Sequence, residues 1–186
     1  MQPDPQVGQS ESDLSTVMGL VRQAGVRVEI EREDLVLPKT ARGYQVTNDI
    51  LISHWIPSFD PKFLRHFGIQ SILCLDGKHQ PEMASVLGVQ RVVSTNMPDG
   101  RGTTTDMVRR LVGQLHELVT KHPATLVQCN AGQSRSASVV AAYLAIHRGF
   151  KFSEALATVR EARAPERNVI YWQETLDAMR PLMEGL

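Results

Sequence analysis

Residues 124–148 read ATLVQCNAGQSRSASVVAAYLAIHR, and the fold prediction starts from this stretch. The apolar residues before Cys129 are typical of a short buried strand. Residues 136–148 are apolar nearly all round, which is typical of a helix in the middle of a core. The pattern therefore predicts a cysteine at the end of a buried strand, then a loop tightened by Gly132. An arginine, Arg135, follows the cysteine by six positions, at the point where the helix begins.

The chain around this stretch alternates between short apolar runs and helical patterns. Strands are predicted at about residues 50–52, 69–75, 91–94 and 124–128, and helices at about 61–67, 81–87, 105–121, 136–148, 153–162 and 171–183. Strands that alternate with helices favour an α/β domain with a mainly parallel central sheet flanked by helices. We assign residues 43–186 to this main domain.

The first 42 residues have a different pattern. Residues 1–11 are polar, contain two prolines and are predicted to be a flexible tail. Residues 12–42 are interpreted as an N-terminal extension made of a helix, which Ser12 caps and Gly25 ends, followed by a hairpin. This extension is a candidate cover for a sheet edge, a dimer contact or a docking element, and the oligomeric state stays open.

The composition excludes several classes of function. The 20 basic and 20 acidic side chains balance, so no global field attracts nucleic acid or an anionic membrane surface. Two cysteines are too few for a disulfide framework and suit a reducing compartment. The start shows no secretory signal, and no apolar run approaches the roughly 20 residues that cross a bilayer. We expect a cytoplasmic protein without nucleic-acid or membrane partners, and the histidine spacing predicts no metal or other cofactor.

The strand–loop–helix pattern has a chemical consequence. A glycine-tightened loop that leads into a helix can turn its backbone N–H groups inward around an anion, and the helix N-terminus adds partial positive charge there. The planar guanidinium of Arg135 matches two phosphate oxygens. The same environment favours the thiolate form of Cys129, which is the nucleophilic form. One loop thus predicts both an anion site and a nucleophile.

These residues resemble a known family. Cys-x5-Arg followed by Ser, after an apolar strand, is the signature of the cysteine-based protein-tyrosine phosphatases, and residues 129–137 are similar to its dual-specificity phosphatase branch. Residues 69–75 resemble that branch's strand ahead of the core. Arg163, Pro165 and Asn168 resemble its segment before the final helix. The resemblance covers the main domain and implies a protein-tyrosine-phosphatase-like catalytic domain.

The resemblance also implies a two-step reaction on phosphomonoesters. Cys129 takes the phosphoryl group as a phosphocysteine, which water then hydrolyses, and Ser136 helps the sulfur to leave. A loop acid protonates the departing oxygen; Asp99, 30 positions before the cysteine, fits better than Asp106, which complements a helix dipole. The expected phosphate-binding residues are Asn130, Ala131, Gly132, Gln133, Ser134 and Arg135.

One residue departs from the family pattern, which has histidine immediately before the cysteine. Here that residue is Gln128, whose amide can donate a hydrogen bond but cannot carry charge. We therefore expect a weaker bias toward the thiolate and a slower enzyme. Lys78 and Arg101 follow predicted strand ends, and each is either a substrate contact or ordinary surface charge.

Cys74 has two interpretations, a small core residue or a redox partner. Some phosphatases of this superfamily carry a second cysteine at a similar position, which forms a reversible disulfide with the nucleophile and protects it from over-oxidation. The resemblance implies the same pairing of Cys74 with Cys129.

Two function classes stay open. The first is an active phosphatase of phosphotyrosine, with phosphoserine, phosphothreonine or a small non-protein phosphomonoester as further candidate substrates. The second is a pseudophosphatase that binds phosphorylated partners without turnover, which only Gln128 favours. The sequence does not decide between phosphotyrosine and phosphoserine or phosphothreonine.

Overall fold

The computed structural model describes residues 43–163 and 169–184. Five strands form one sheet: β1 (Tyr44–Thr47), β2 (Ile50–Ser53), β3 (Ser71–Cys74), β4 (Arg91–Ser94) and β5 (Thr125–Gln128). Their order across the sheet is β1-β2-β5-β3-β4, with β1 antiparallel to β2 and every other neighbouring pair parallel. The predicted α/β class with a mainly parallel sheet is confirmed.

Six α-helices accompany the sheet in the described ranges. They are α1 (Pro61–His66), α2 (Ala84–Leu87), α3 (Thr105–Lys121), α4 (Arg135–Arg148), α5 (Phe152–Arg163) and α6 (Gln173–Met183). Short 3₁₀ turns occupy Pro57–Phe59 and Pro81–Met83, so the helix predicted over residues 81–87 divides into a 3₁₀ turn and α2. None of the described helices is long and apolar enough to cross a bilayer.

The side chains of each strand alternate between two helical layers. Ile72 and Leu126 belong to a buried cluster with α1 and α2. Leu73 and Val127, one position further along the same strands, pack into the larger cluster formed by α3, α4, α5 and α6. Both faces of the sheet are therefore covered, and this burial of apolar side chains is the main stabilising contribution to the fold.

Helix α4 lies at the centre of the larger layer. Every residue from Ser136 to Ala145 is buried, because α4 packs between β5, α3, α5 and α6. This confirms the interpretation of an all-round apolar pattern as a central helix. The helix ends at Gly149, whose φ of 70° provides the left-handed turn that closes it.

Strand β1 is the element that the sequence analysis missed. The pattern Tyr44-Gln45-Val46-Thr47 is short, and its pairing with β2 shifts register at Gln45 and Thr47, so it carries little periodic signal. Arg163, at the end of α5, is fully buried with its guanidinium 4.0 Å from the centre of the Tyr44 ring. The tail and extension predicted over residues 1–42, like Pro165 and Asn168, lie outside the described residues.

Candidate active site

The 129–135 loop connects the end of β5 to the start of α4. Its carbonyl groups face neighbouring segments: the Trp55 N–H donates to the Asn130 oxygen at 3.4 Å, and the Ile170 N–H donates to the Gln133 oxygen at 3.0 Å. By contrast, no backbone N–H of residues 130–134 donates to an acceptor in the described part of the chain. A loop whose carbonyl groups accept hydrogen bonds from the protein, while its N–H groups have no acceptor, is suited to bind an anion.

Gly132 determines how closely this loop approaches β2. Its φ is 62°, in the left-handed region that side chains disfavour. A Cβ atom at this position would lie 2.7 Å from the backbone carbon and oxygen of Ser53. No side chain fits without moving the loop away from the strand, so the glycine is required on two independent grounds.

Cys129 and Ser136 lie at the base of the loop. The Cys129 Sγ is 3.3 Å from the Ser136 Oγ, and both residues are buried. The cysteine is the first residue after β5, and the serine lies in the first turn of α4. A hydroxyl in this position can donate a hydrogen bond to a thiolate, which stabilises the sulfur as an anion or as a leaving group.

The guanidinium of Arg135 reaches toward the loop after β4. Its Nη1 donates to the Met97 carbonyl at 3.4 Å, and its Nη2 lies 3.6 Å from Asp99 Oδ2. The Arg135 Nε is buried and has no hydrogen-bond partner among the described residues. Asp99 and Arg135, 36 positions apart in the sequence, therefore meet at one site.

Trp172 contacts the same aspartate from the other side. Its indole Nε1 donates to Asp99 Oδ1 at 3.1 Å. The adjacent Gly100 has a φ of 96°, and a Cβ there would lie 3.1 Å from the Trp172 ring. Trp172 lies shortly before α6. Nothing in the sequence around it indicates a contact with residue 99. Sequence reasoning did not identify it.

A basic side chain contacts the loop at Asn130. Lys78 Nζ donates to Asn130 Oδ1 at 2.6 Å, lies 3.6 Å from Asp76 Oδ2 and sits 4.2 Å from the centre of the Trp55 ring. The sequence leaves Lys78 as a substrate contact or surface charge, and in the structure its ammonium group contacts the loop. Arg101, the other candidate, is 97% exposed and lies 4.0 Å from Glu174.

Gln128 is part of a buried polar cluster on the opposite face of the sheet from Cys129. Its Nε2 lies 2.9 Å from Cys74 Sγ, 2.9 Å from Asp76 Oδ1 and 3.2 Å from His79 Nδ1. Strand alternation explains the placement, because Gln128 shares its face with Leu126 rather than with Val127. The amide thus ties the last residue of β5 to the loop after β3.

His79 completes this cluster, and sequence reasoning missed it. It is fully buried, and its ring stacks on Phe59 with centroids 4.0 Å apart. Its Nε2 lies 3.1 Å from the Ser58 carbonyl, which only accepts, so Nε2 carries the hydrogen and Nδ1 accepts from Gln128. A histidine between Lys78 and Gln80 has no apolar periodicity, so nothing in the sequence indicated its burial.

Burial controls the charge of this cluster. It lowers the pKa of His79 from 6.5 to about 4, an effect that Lys78 reinforces and that the bond to Ser58 and the charge of Asp76 oppose. Burial also raises the pKa of the Cys74 thiol, which donates to Asp76 Oδ1 at 3.3 Å. The ring and the thiol are therefore neutral near pH 7.

Two predictions are left, the role of Asp106 and the pairing of Cys74 with Cys129. Asp106 is in the first turn of α3, where it is exposed and forms an ion pair with Arg109. Cys74 and Cys129 are both free thiols. Among the described residues, no group of three or more His, Cys, Asp or Glu side chains is arranged to hold a metal ion.

Comparison with known proteins identifies the family. The model of the dual specificity phosphatase catalytic domain matches residues 61–180. The chain belongs to the dual specificity phosphatase family.

Curated relatives are phosphatases of the same kind. Dual specificity protein phosphatase 14 of Homo sapiens is 40% identical over 70 residues, which are 37% of this chain and 35% of that protein. Tyrosine-protein phosphatase cdcA of Emericella nidulans is 29% identical over 105 residues, 54% of this chain and 18% of that protein. The matches thus span about a third or less of the length of these relatives.

Solved structures show the same fold. Tk-PTP in its active form has a TM-score of 0.62 at 21% identity, covering 77% of this chain and 97% of its own. Human DUSP28 also has a TM-score of 0.62 at 21% identity, covering 75% of this chain and 94% of its own. PTPMT1 in complex with PI(5)P has a TM-score of 0.65 at 15% identity, covering 76% and 94%. At these identities the likeness concerns the fold alone.

Proposed function

We propose that this chain hydrolyses phosphomonoesters through a phosphocysteine on Cys129, as the family of cysteine-dependent phosphatases to which it belongs suggests. The observation that carries the proposal is the 129–135 loop, whose five amides of residues 130–134 are unused by described acceptors. Beside them lie a buried thiol within 3.3 Å of the Ser136 hydroxyl and a guanidinium with a buried, unpartnered Nε.

In the first step the Cys129 thiolate attacks phosphorus and the bond from phosphorus to the ester oxygen breaks. The loop amides and Arg135 stabilise the negative charge on the phosphoryl oxygens, which is mainly an electrostatic contribution. Asp99 gives its proton to the departing oxygen. In the second step water attacks phosphorus, Asp99 takes a proton from it, and Ser136 donates to the sulfur as it leaves.

The favoured substrate is phosphotyrosine, with phosphoserine and phosphothreonine as further candidates. The three exposed large hydrophobic residues of the described chain are Ile56, Ile170 and Trp172. Ile56 follows Trp55, which binds Asn130, and Ile170 binds Gln133. Two of these residues therefore adjoin the loop, and the third contacts Asp99. Apolar surface around a phosphate site favours an aromatic leaving group.

A non-protein phosphomonoester is the second candidate, because Lys78 brings a cation to the edge of the loop. A similar fold in PTPMT1 binds PI(5)P, so a lipid or nucleotide phosphate belongs among the substrates to test. We propose a cytoplasmic location, given the reducing compartment that two free thiols suit.

An aryl phosphate assay distinguishes an active enzyme from a pseudophosphatase. Wild type, Cys129→Ser and Asp99→Ala are compared with Asp106→Ala, a matched control whose aspartate lies on the exposed turn of α3. We expect no turnover from Cys129→Ser, a drop of about 100-fold or more from Asp99→Ala and no change from Asp106→Ala. Equal rates in all four proteins, or none in wild type, contradict the proposal.

Phosphotyrosine, phosphothreonine and phosphoinositide substrates then rank the candidates. Faster turnover of the phosphotyrosine peptide supports the favoured substrate. A preference for the phosphoinositide assigns the chain to the second candidate instead.

We also propose that Cys74 is a redox partner of Cys129. The two thiols lie on opposite faces of the sheet, but they are close along it: Cys74 pairs with Gln128, the residue before Cys129, so a disulfide needs the Cys129 backbone to move toward β3. Peroxide removes two electrons and two protons from the thiols as the S–S bond forms, and is itself reduced to water. Peptide mapping without reductant tests this, and recovery of only free or sulfonic Cys129 refutes it.

A further inference from the structure

The two oxygens of Asp99 have different neighbours. Oδ1 accepts a hydrogen bond from the Trp172 indole at 3.1 Å, whereas Oδ2 faces the Arg135 guanidinium at 3.6 Å. An indole N–H only donates, so an Oδ1 that carried a proton would face another donor. We propose that Trp172 is a positioning residue that reserves Oδ2 of Asp99 for the transferred proton, an inference that rests on the proposed acid role of Asp99.

The arrangement also lets Asp99 keep one partner when a phosphate group binds Arg135. Arg135 lies 3.6 Å from Oδ2 and makes no hydrogen bond to Asp99, so the guanidinium can leave Oδ2 and bind two phosphate oxygens while Trp172 still holds Oδ1. The carboxyl group of Asp99 then keeps its position beside the 129–135 loop. If the indole hydrogen bond were absent, the carboxyl group of Asp99 would have no side-chain partner once Arg135 moved away, because the described residues make no other side-chain bond to it.

The backbone of the Asp99 loop supports the same contact. Gly100 has a φ of 96°, and a Cβ there would approach Trp172 Cγ to 3.1 Å. The indole ring therefore packs directly on the glycine next to the aspartate. A side chain at residue 100 would push the indole ring away and strain this backbone conformation.

In chemical terms, the Oδ2–H bond breaks as the proton passes to the ester oxygen that leaves phosphorus. The electron pair of the broken P–O bond stays on that oxygen and forms its new O–H bond. A poor leaving group needs this proton, whereas an activated nitrophenol departs without it. A defect in positioning Asp99 must therefore depend on the leaving group.

The test compares kcat/KM for phenyl phosphate and for 2,4-dinitrophenyl phosphate in Trp172→Phe, which keeps an aromatic ring but has no N–H donor. We expect a loss of about tenfold on phenyl phosphate, the value for one hydrogen bond to a charged group, with KM unchanged. No loss is expected on the dinitrophenyl ester. Equal losses on both esters, or none on either, overturn the proposal.

Two further variants separate positioning from structure. Tyr171→Phe is the matched control, because the neighbouring hydroxyl donates to the Leu156 carbonyl and has no contact with Asp99. It should leave the ratio of the two rates unchanged even if it lowers the melting temperature. In an Asp99→Asn background, Trp172→Phe should add no further loss of kcat/KM on phenyl phosphate. If the double variant instead loses the product of the two single losses, Trp172 does not act through Asp99.

The outcome for Asp99→Asn alone keeps this inference separate from the proposed function. If that variant turns over phenyl phosphate like wild type, Asp99 is not the acid and the role of Trp172 falls with it, whereas the phosphocysteine chemistry is decided separately by Cys129→Ser. If Asp99→Asn loses turnover but Trp172→Phe does not, only the assignment of Trp172 is refuted.

Discussion

Acid should destabilise this protein through His79. The buried ring is held neutral, with a pKa lowered to about 4, whereas an unfolded chain exposes an ordinary histidine with a pKa of about 6.5. The unfolded state therefore binds more protons than the native state between these two values. Stability from the neutral ring is fully present above pH 6.5 and is lost as the pH falls toward 4.

The size of the effect follows from the two pKa values. One pKa unit corresponds to about 1.4 kcal/mol, so the complete shift is equivalent to about 3 kcal/mol of unfolding free energy. About 2 kcal/mol should be lost between pH 7 and pH 5. For a domain with the usual 5–15 kcal/mol, that is a large fraction.

The assay is urea unfolding at several pH values between 8 and 4.5, for wild type and His79→Gln. Glutamine can accept from Gln128 and donate to the Ser58 carbonyl but does not titrate in this range, so the variant should be less stable at pH 7 and lose less on acidification. His66→Gln, at an exposed position on α1, is the matched control and should follow wild type. Parallel stability curves for wild type and His79→Gln would refute the assignment of a buried neutral histidine.

Three further perturbations test the site itself. Gly132→Ala should cost about 1–3 kcal/mol for the left-handed backbone, plus the clash with Ser53, and should abolish turnover. Gly88→Ala is the control, because Gly88 has a similar φ but no atom within 4 Å of an added Cβ, so this variant should lose only the stability that the backbone strain costs. Equal unfolding free energies for the two variants would contradict the close approach of Gly132 to Ser53. Ser136→Ala should slow hydrolysis of the phosphocysteine more than its formation, seen as a larger burst of phenol in rapid-mixing assays, and a lost burst would argue against the role of Ser136. Lys78→Met should raise KM by less than about fivefold, because a partly exposed polar contact contributes at most about 1 kcal/mol; an unchanged KM would assign Lys78 to loop structure alone.

The class of fold and the centre of the site could be predicted because their signals are local. Helix α3 was predicted with its observed bounds, since an amphipathic 3.6-residue period over 17 residues leaves little choice of ends. The all-round apolar pattern of α4 indicated a central helix for the same reason. The spacing of Cys129, Arg135 and Ser136 is also local, because one strand, one loop and one helix turn bring these residues together.

The rest could not be predicted because it depends on contacts between distant segments. Strand β1 is too short to show a period and is stabilised by its pairing with β2. Trp172 meets Asp99 across 73 positions, and Gln128 meets His79 across 49 positions. No local pattern encodes such distances.

The amino-acid order alone therefore established a parallel α/β sheet and a cysteine–arginine loop at the end of a central strand. Only the folded chain decided which face of the sheet Gln128 occupies, that His79 is buried and neutral, and which oxygen of Asp99 faces Arg135. The physical reason is that periodicity and loop spacing act within a few residues, whereas burial, charge state and hydrogen-bond partners arise from segments that only the sheet and its helices bring together.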